Sequence, residues 1–256
     1  MKRVPYPKVR QVLVMIMLAV MLSGCLEWLR AYQTYLQLNE FDTHFEIKSA
    51  EDFTLLFKHP ILISDDFVNL SKLQPSESIP LEFGKRWRYW FKKVNDQGEL
   101  ISPEINFFFD LRFNRFQRLT AFTFSPLFLQ IAPPDFIEAS LRSIAGAKIN
   151  EEKRQLRTNA EMIQKTNAKL PLKSAVIAQL GEPLEITQEN GFEIYRYHFM
   201  LQTTGIVAGY EDRALNAVKL TFDMQTQELV KMAGRFAGLK ISINYRKYLD
   251  QDEQTL

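Results

Sequence analysis

The sequence predicts an α+β fold of two tandem repeats, each of short helices packed on a three-stranded antiparallel meander. Three observations carry this expectation. Apolar and polar residues alternate over several long segments, the pattern of half-buried strands. Short segments with helix-start signals and Gly or Pro stops precede them. The two halves also resemble each other: Arg88-Tyr89-Trp90-Phe91 parallels Arg196-Tyr197-His198-Phe199, and Leu111-Arg112-Phe113-Asn114 parallels Leu220-Thr221-Phe222-Asp223. A turn and a leucine follow in each half, Leu119 and Leu229, as an internal duplication would give.

The chain starts with a basic front, Lys2, Arg3, Lys8 and Arg10. An unbroken apolar run of eleven residues follows, Val12 to Leu22, and closes on Leu22-Ser23-Gly24-Cys25. Eleven residues fall short of the ~20 that span a bilayer core and fit the apolar region of a secretory signal. Leu-Ser-Gly-Cys resembles the lipobox of bacterial lipoproteins. The resemblance implies that residues 1–24 are cut away, that the Cys25 thiol is diacylated and that the new amine is acylated. It also implies an outer-membrane location, because Leu26, not the retention signal Asp, follows the cysteine; the periplasmic face is the expected side. Cys25 is the only cysteine, so no disulfide framework exists. No cofactor is expected beyond the covalent lipid on Cys25.

The whole chain has 32 basic and 30 acidic residues. Without the signal segment the balance is 28 to 30, a net charge of −2, which removes the basis for a nucleic-acid partner. Hydrophobic content of 46% with 20 Phe predicts a packed core and argues against disorder. The composition places a first repeat at 25–146, a polar connector at 147–170, a second repeat at 171–248 and a polar tail at 249–256.

Residues 26–38 lack the Gly, Ser and Pro of a flexible leash, which holds the folded part near the bilayer. Trp28, Tyr32 and Tyr35 are expected to pack on the core, with a seat at the headgroup interface as the alternative. Phe41, Thr43, Phe45 and Ile47 alternate with polar residues and read as a strand. Ser49 caps an expected helix over Ala50 to Lys58, stopped by His59-Pro60. Ser64 caps another, through about Leu73, with Asp65 and Asp66 in its first turn, where acids suit the dipole.

Lys85 to Lys93 interleaves basic and aromatic residues. As a strand it puts Trp87, Tyr89 and Phe91 on one face and Arg86, Arg88, Trp90 and Lys92 on the other. The second face is the candidate partner-binding patch, with outward cation–π packing as the structural alternative. Asn95 to Gly98 is a turn, Ile105 to Asn114 a Phe-rich strand, and Arg118 to Phe124 its partner. Pro133-Pro134-Asp135 opens a helix that Gly146 ends. Leu172 to Leu180 is a short helix stopped by Gly181 and Pro183. Strands follow at Phe192 to Leu201, Leu215 to Asp223 and Leu229 to Ala233, the last running on through Leu239 to Tyr245 after a kink at Gly234 and Gly238.

Leu180-Gly181-Glu182-Pro183 after a short helix, the aromatic strand Tyr195-Arg196-Tyr197, and Leu220-Thr221-Phe222-Asp223 before a turn together resemble the SmpA/OmlA/BamE lipoproteins. The resemblance covers 170–245 directly and 60–125 through the internal repeat. It implies a domain of two helices on a three-stranded sheet, and β-barrel assembly components as partners. This chain departs from the family pattern in its two halves and its short leash.

Catalytic signatures are absent from the sequence. His44, His59 and His198 have no metal-ligand spacing, and there is no nucleophile elbow, phosphate loop or dinucleotide fingerprint. The expectation is therefore a non-enzymatic, lipid-anchored binding or scaffolding module of the cell envelope, with membrane and envelope proteins as partners. The alternative is a periplasmic carrier or sensor of an apolar ligand held between the halves.

Overall fold

The computed structural model describes residues 26–145, 147–150, 155–157, 163–236 and 239–250 of the 256-residue chain. The expected signal segment 1–24 and Cys25 lie outside the described residues. Helix α1 (26–37) runs through one 3-10 turn into α2 (Phe41–His44). A hairpin of β1 (Phe45–Ser49) and β2 (Phe53–Phe57) comes next, then α3 (Ser64–Ser71), β3 (Glu77–Leu81), β4 (Gly84–Val94), β5 (Asn106–Asn114) and β6 (Leu119–Phe124). Two helices follow, α4 (Pro126–Leu129) and α5 (Pro134–Ser143). Strands β7 (Lys148–Asn150) and β8 (Gln155–Arg157) form a two-stranded sheet with each other. The last stretch holds α6 (Lys173–Leu180), β9 (Glu185–Glu189), β10 (Phe192–Gln202), β11 (Leu215–Asp223), β12 (Leu229–Phe236) and β13 (Leu239–Asn244).

Local chemistry explains the helix ends. The Ile63 N–H donates to Asp66 Oδ2 at 2.9 Å, so the acid in the third helical position satisfies a donor that α3 cannot. Proline occupies the first turn of α4 and α5, where no N–H is needed. α6 stops at Gly181, whose φ of +65° turns the chain while its N–H reaches Ile177 O at 2.7 Å.

Eleven strands form one antiparallel sheet, ordered β1-β2-β6-β5-β4-β10-β11-β12-β13, with β3 also on β4 and β9 also on β10. The junction is the pair β4–β10, in register from His198 opposite Val94 to Gln202 opposite Trp90. The first half of each long strand pairs instead with β3 or β9. The sheet curls into a half-barrel whose concave face is packed with rings. Phe91 stacks on Phe107 at 4.9 Å, and Phe107 meets Phe199 from the other half at 4.9 Å. The curl brings Phe236 of β12 within 6.0 Å of both Phe91 and Phe107. Phe128 of α4 and Phe136 of α5 close the core from the helical side.

This architecture corrects the expected fold class. The molecule is not two α+β repeats of helices on separate three-stranded meanders. It is one eleven-stranded curled sheet with few, short helices. The two similar stretches, Arg88–Phe91 and Arg196–Phe199, lie on β4 and β10, the strands that join the halves edge to edge. Hydrogen bonding between unpaired edges satisfies backbone groups that two isolated meanders would expose.

Three local expectations are also corrected. The strand expected from Phe41 begins at Phe45, because residues 41–44 close a helical turn. The helix expected over Ala50 to Lys58 is strand β2, with Phe53 and Leu55 buried. Leu229 to Tyr245 is not one kinked strand; β12 and β13 form an antiparallel hairpin, from Lys231 opposite Asn244 to Phe236 opposite Leu239.

Gly84 is a strict requirement of this sheet. A Cβ on its backbone, at φ +151°, would sit 1.9 Å from the Phe113 carbonyl oxygen across the β4–β5 ladder. Gly84→Ala must push the two strands apart, and we expect a loss of about 3 kcal/mol, read as a lower midpoint in chemical denaturation.

Candidate functional site

Period-two alternation puts Arg86, Arg88, Trp90 and Lys92 together on the convex face of β4, as the sequence predicts; all four are half-buried. The structure also shows what they face. Across the ladder Arg88 lies opposite Asp110 and Trp90 opposite Phe108. Arg88 grips Asp110 with two parallel hydrogen bonds of 2.7 Å, from Nε and Nη2. The same guanidinium lies 3.8 Å from the Phe108 ring centre and 5.0 Å from that of Trp90. Hydrogen bonding to the carboxylate raises the Arg88 pKa above its ordinary value. Arg86 Nε is 3.8 Å from Asp110, Lys92 Nζ is 2.9 Å from Glu104, and the Trp90 indole donates to Glu77 at 2.8 Å. The expected patch is thus a charge-compensated ladder. Sequence reasoning missed Asp110, although its place between outward Phe108 and Arg112 on β5 was a readable signal.

On the concave side of the same strand, Lys93 is 3% exposed. Its ammonium donates to Leu180 O at 2.7 Å and Glu182 O at 2.5 Å, and lies 5.1 Å from the Tyr197 ring centre. Burial lowers its pKa. The Tyr197 hydroxyl donates to Gly181 O. The Leu180-Gly181-Glu182-Pro183 stretch is therefore the acceptor by which α6 is fixed to β4 and β10. A cation at a helix C-terminus also suits the dipole.

Three further features stand out. First, α1 docks with its polar side inward. Arg30 forks onto fully buried Asp66 at 2.8 and 2.5 Å, Asn69 donates to Glu27, Tyr35 donates to Ala147 O at 2.5 Å and Gln37 donates to His59 O at 2.9 Å. Trp28 and Tyr32 are exposed, which corrects the expectation that they pack on the core; Tyr35 is half-buried. Second, His44 and His59 bring their Nδ1 atoms to 3.2 Å, a pair that sequence spacing did not reveal. Among the described residues no cluster of three or more metal-capable side chains accompanies them. Third, an open groove of about 780 Å³ runs over the convex side of β10 to β13. Phe192, Ile194 and Val230 line it, and Lys231, Arg246 and Lys247 stand around it.

On the other face of β10 from that groove, Glu193 accepts hydrogen bonds from Lys173 at 2.7 Å and Gln188 at 3.1 Å. The Lys173 bond holds its carboxyl below the usual glutamate range. The unfolded chain binds that proton more readily, so the pair's stabilisation is complete above the ordinary glutamate value and is lost as pH falls through the folded one. We expect the thermal midpoint to drop on acidification, and to drop less in Lys173→Met, as calorimetry across the acid range will read.

Comparison with family models, with curated proteins and with solved structures gives no match.

Proposed function

We propose that this chain is a lipid-anchored protein of the bacterial cell envelope, held through Cys25 at the periplasmic face of the outer membrane. There it acts as a non-enzymatic binding and scaffolding module for envelope proteins, β-barrel assembly components among them. The anchor rests on the basic front, the short apolar run and Leu22-Ser23-Gly24-Cys25. The observation that supports the binding role is a filled concave core combined with open sheet edges. The space between the halves is occupied by Phe91, Phe107, Phe199 and Phe236, while β1 and β13 each pair on one side only among the described residues. An open edge offers a row of backbone donors and acceptors to a partner strand. Exposed Glu46 and Lys48 on β1 and Lys240 on β13 discourage indiscriminate pairing.

Photocrosslinking in intact cells tests this reading. A photoreactive residue in place of Lys48 or Lys240 in the full-length chain is expected to capture one or a few discrete envelope proteins. Absence of any protein adduct from both positions would overturn the scaffold role.

The groove supports a second reading, a carrier. Its apolar lining and basic surround suit an anionic amphiphile. Lipid that co-purifies with the chain and is lost in Lys231→Glu would favour it.

A further inference from the structure

We propose that α1 is an interfacial membrane helix, which lays its outward apolar side into the headgroup–acyl boundary and so fixes the tilt of the sheet on the bilayer. The inference deepens the lipid-anchor reading and rests on it for the identity of the membrane, though not for the chemistry of the helix.

A surface helix of a water-soluble protein turns its apolar stripe to the core and its polar side to solvent. α1 does the reverse. Leu26, Trp28, Leu29, Tyr32 and Leu36 are between 43% and 55% exposed. At 100° per residue they share an arc of about 160°. Glu27, Arg30, Thr34 and Gln37 occupy the opposite arc, and three of them bond the body of the protein. The Arg30–Asp66 fork is the strongest of these ties, because Asp66 is fully buried and also caps α3. The polar side is held in place, so the apolar side cannot turn inward.

The placement selects the occupant. Leu26, the first described residue and the one that follows Cys25, is already helical, so an acylated cysteine would deliver this turn to the bilayer surface. The helix is about 18 Å long, too short to cross a bilayer and of a length that lies in its surface. Its outward side carries Trp and Tyr, the residues of the headgroup region.

Cations stand nearby. The Ser64 N–H at the start of α3 donates to Gln117 O, and Ser64 Oγ accepts from Lys85 Nζ. These bonds place the β5–β6 and β3–β4 turns beside the helix that holds Arg30. Those turns expose Phe116 and Phe83, and Arg115 lies 4.8 Å from the Phe116 ring centre. Exposed Arg112, Arg115 and Arg118 add the charge that anionic headgroups attract.

The test uses the full-length wild-type chain in phosphatidylethanolamine/phosphatidylglycerol proteoliposomes containing a diazirine phospholipid. Photolabelled peptides are mapped by mass spectrometry, and vesicle flotation is scored on the same samples and on Cys25→Ser. The expected result is label on Leu26 to Leu36 and on the turns with Phe83 and Phe116, and little on exposed Ile186 and Met224 in the second half. Leu29→Ser/Tyr32→Ser, which leaves every polar tie intact, should lose most of the α1 label. A chain that floats through its lipid while α1 stays unlabelled would overturn the inference and leave the anchor standing. Label on α1 in a chain that carries no lipid on Cys25 would support the inference and remove the anchor. Label spread evenly over both halves would overturn it.

Discussion

Phe107→Ala is expected to lower stability by about 4 kcal/mol, the upper part of the range for emptying a buried aromatic site. Phe107 is 1% exposed and meets five other rings: Phe91, Phe109, Phe128, Phe199 and Phe236. These come from four different strands and α4, on both sides of the β4–β10 junction. Its removal therefore leaves a cavity where the halves meet, not in either alone. Rings interlocked at edge and face cannot shift to fill the space without losing their own geometry. Urea denaturation followed by far-ultraviolet circular dichroism will read the loss. A two-step transition in the variant would show further that the ring cluster couples the halves.

Asp110→Ala is expected to cost about 3 kcal/mol, because it strands a charge in place of merely removing a bond. Asp110 is 6% exposed and is the acid for both Arg88 and Arg86. Without it two guanidinium groups lie side by side on a half-buried surface, with Glu77 across the β3–β4 ladder as the remaining acid near Arg88. Arg88→Met in the same background should recover part of the loss, since the methionine keeps the packing on Trp90 and Phe108 and carries no charge. The double-mutant cycle measures the coupling directly. An Arg88 substitution breaks the Asp110 pair and lowers stability whether or not the patch meets a partner, so photocrosslinking from the sheet edges is the cleaner probe of binding.

Much of the sheet was legible because strand periodicity is local. β4, β5, β10 and β11 alternate over most of their length, and Trp87, Tyr89 and Phe91 are buried as that alternation requires. Starts and stops marked α3, α5 and α6 as well, although Ser64, expected as the cap of α3, is its first helical residue and Ile63 holds the cap position. β2 was misread because Phe53, Leu55, Leu56 and Phe57 satisfy both a strand period and a helix spacing, and Ser49 tipped the reading towards a helix. Pairing with β6, from Phe53 opposite Phe124 to Leu56 opposite Ala121, decides it, and that pairing spans a distance in sequence that no local window covers. The same holds for β4–β10. Similarity between two stretches implies a repeat, but nothing in either stretch says that the two would pair with each other. Gly234 suggested a kink, whereas it sits opposite Ile241 within a hairpin whose reversal falls after Phe236.

The site was legible in its face but not in its partners. The four outward residues of β4 followed from alternation alone, while Asp110, Glu104 and Glu77 come from three other segments. The orientation of α1 was the least accessible. An amphipathic sequence predicts which residues share a side, not which side faces the protein, and the assumption that the apolar side turns inward holds only where water is the outer solvent.

The most direct measurement of the central claim is metabolic labelling with radioactive palmitate of the full-length chain and of Cys25→Ala, followed by fractionation of the envelope. The account predicts label on the wild-type chain, its recovery with the outer membrane, and neither in Cys25→Ala. A wild-type chain without label, or label that survives the substitution, would contradict it.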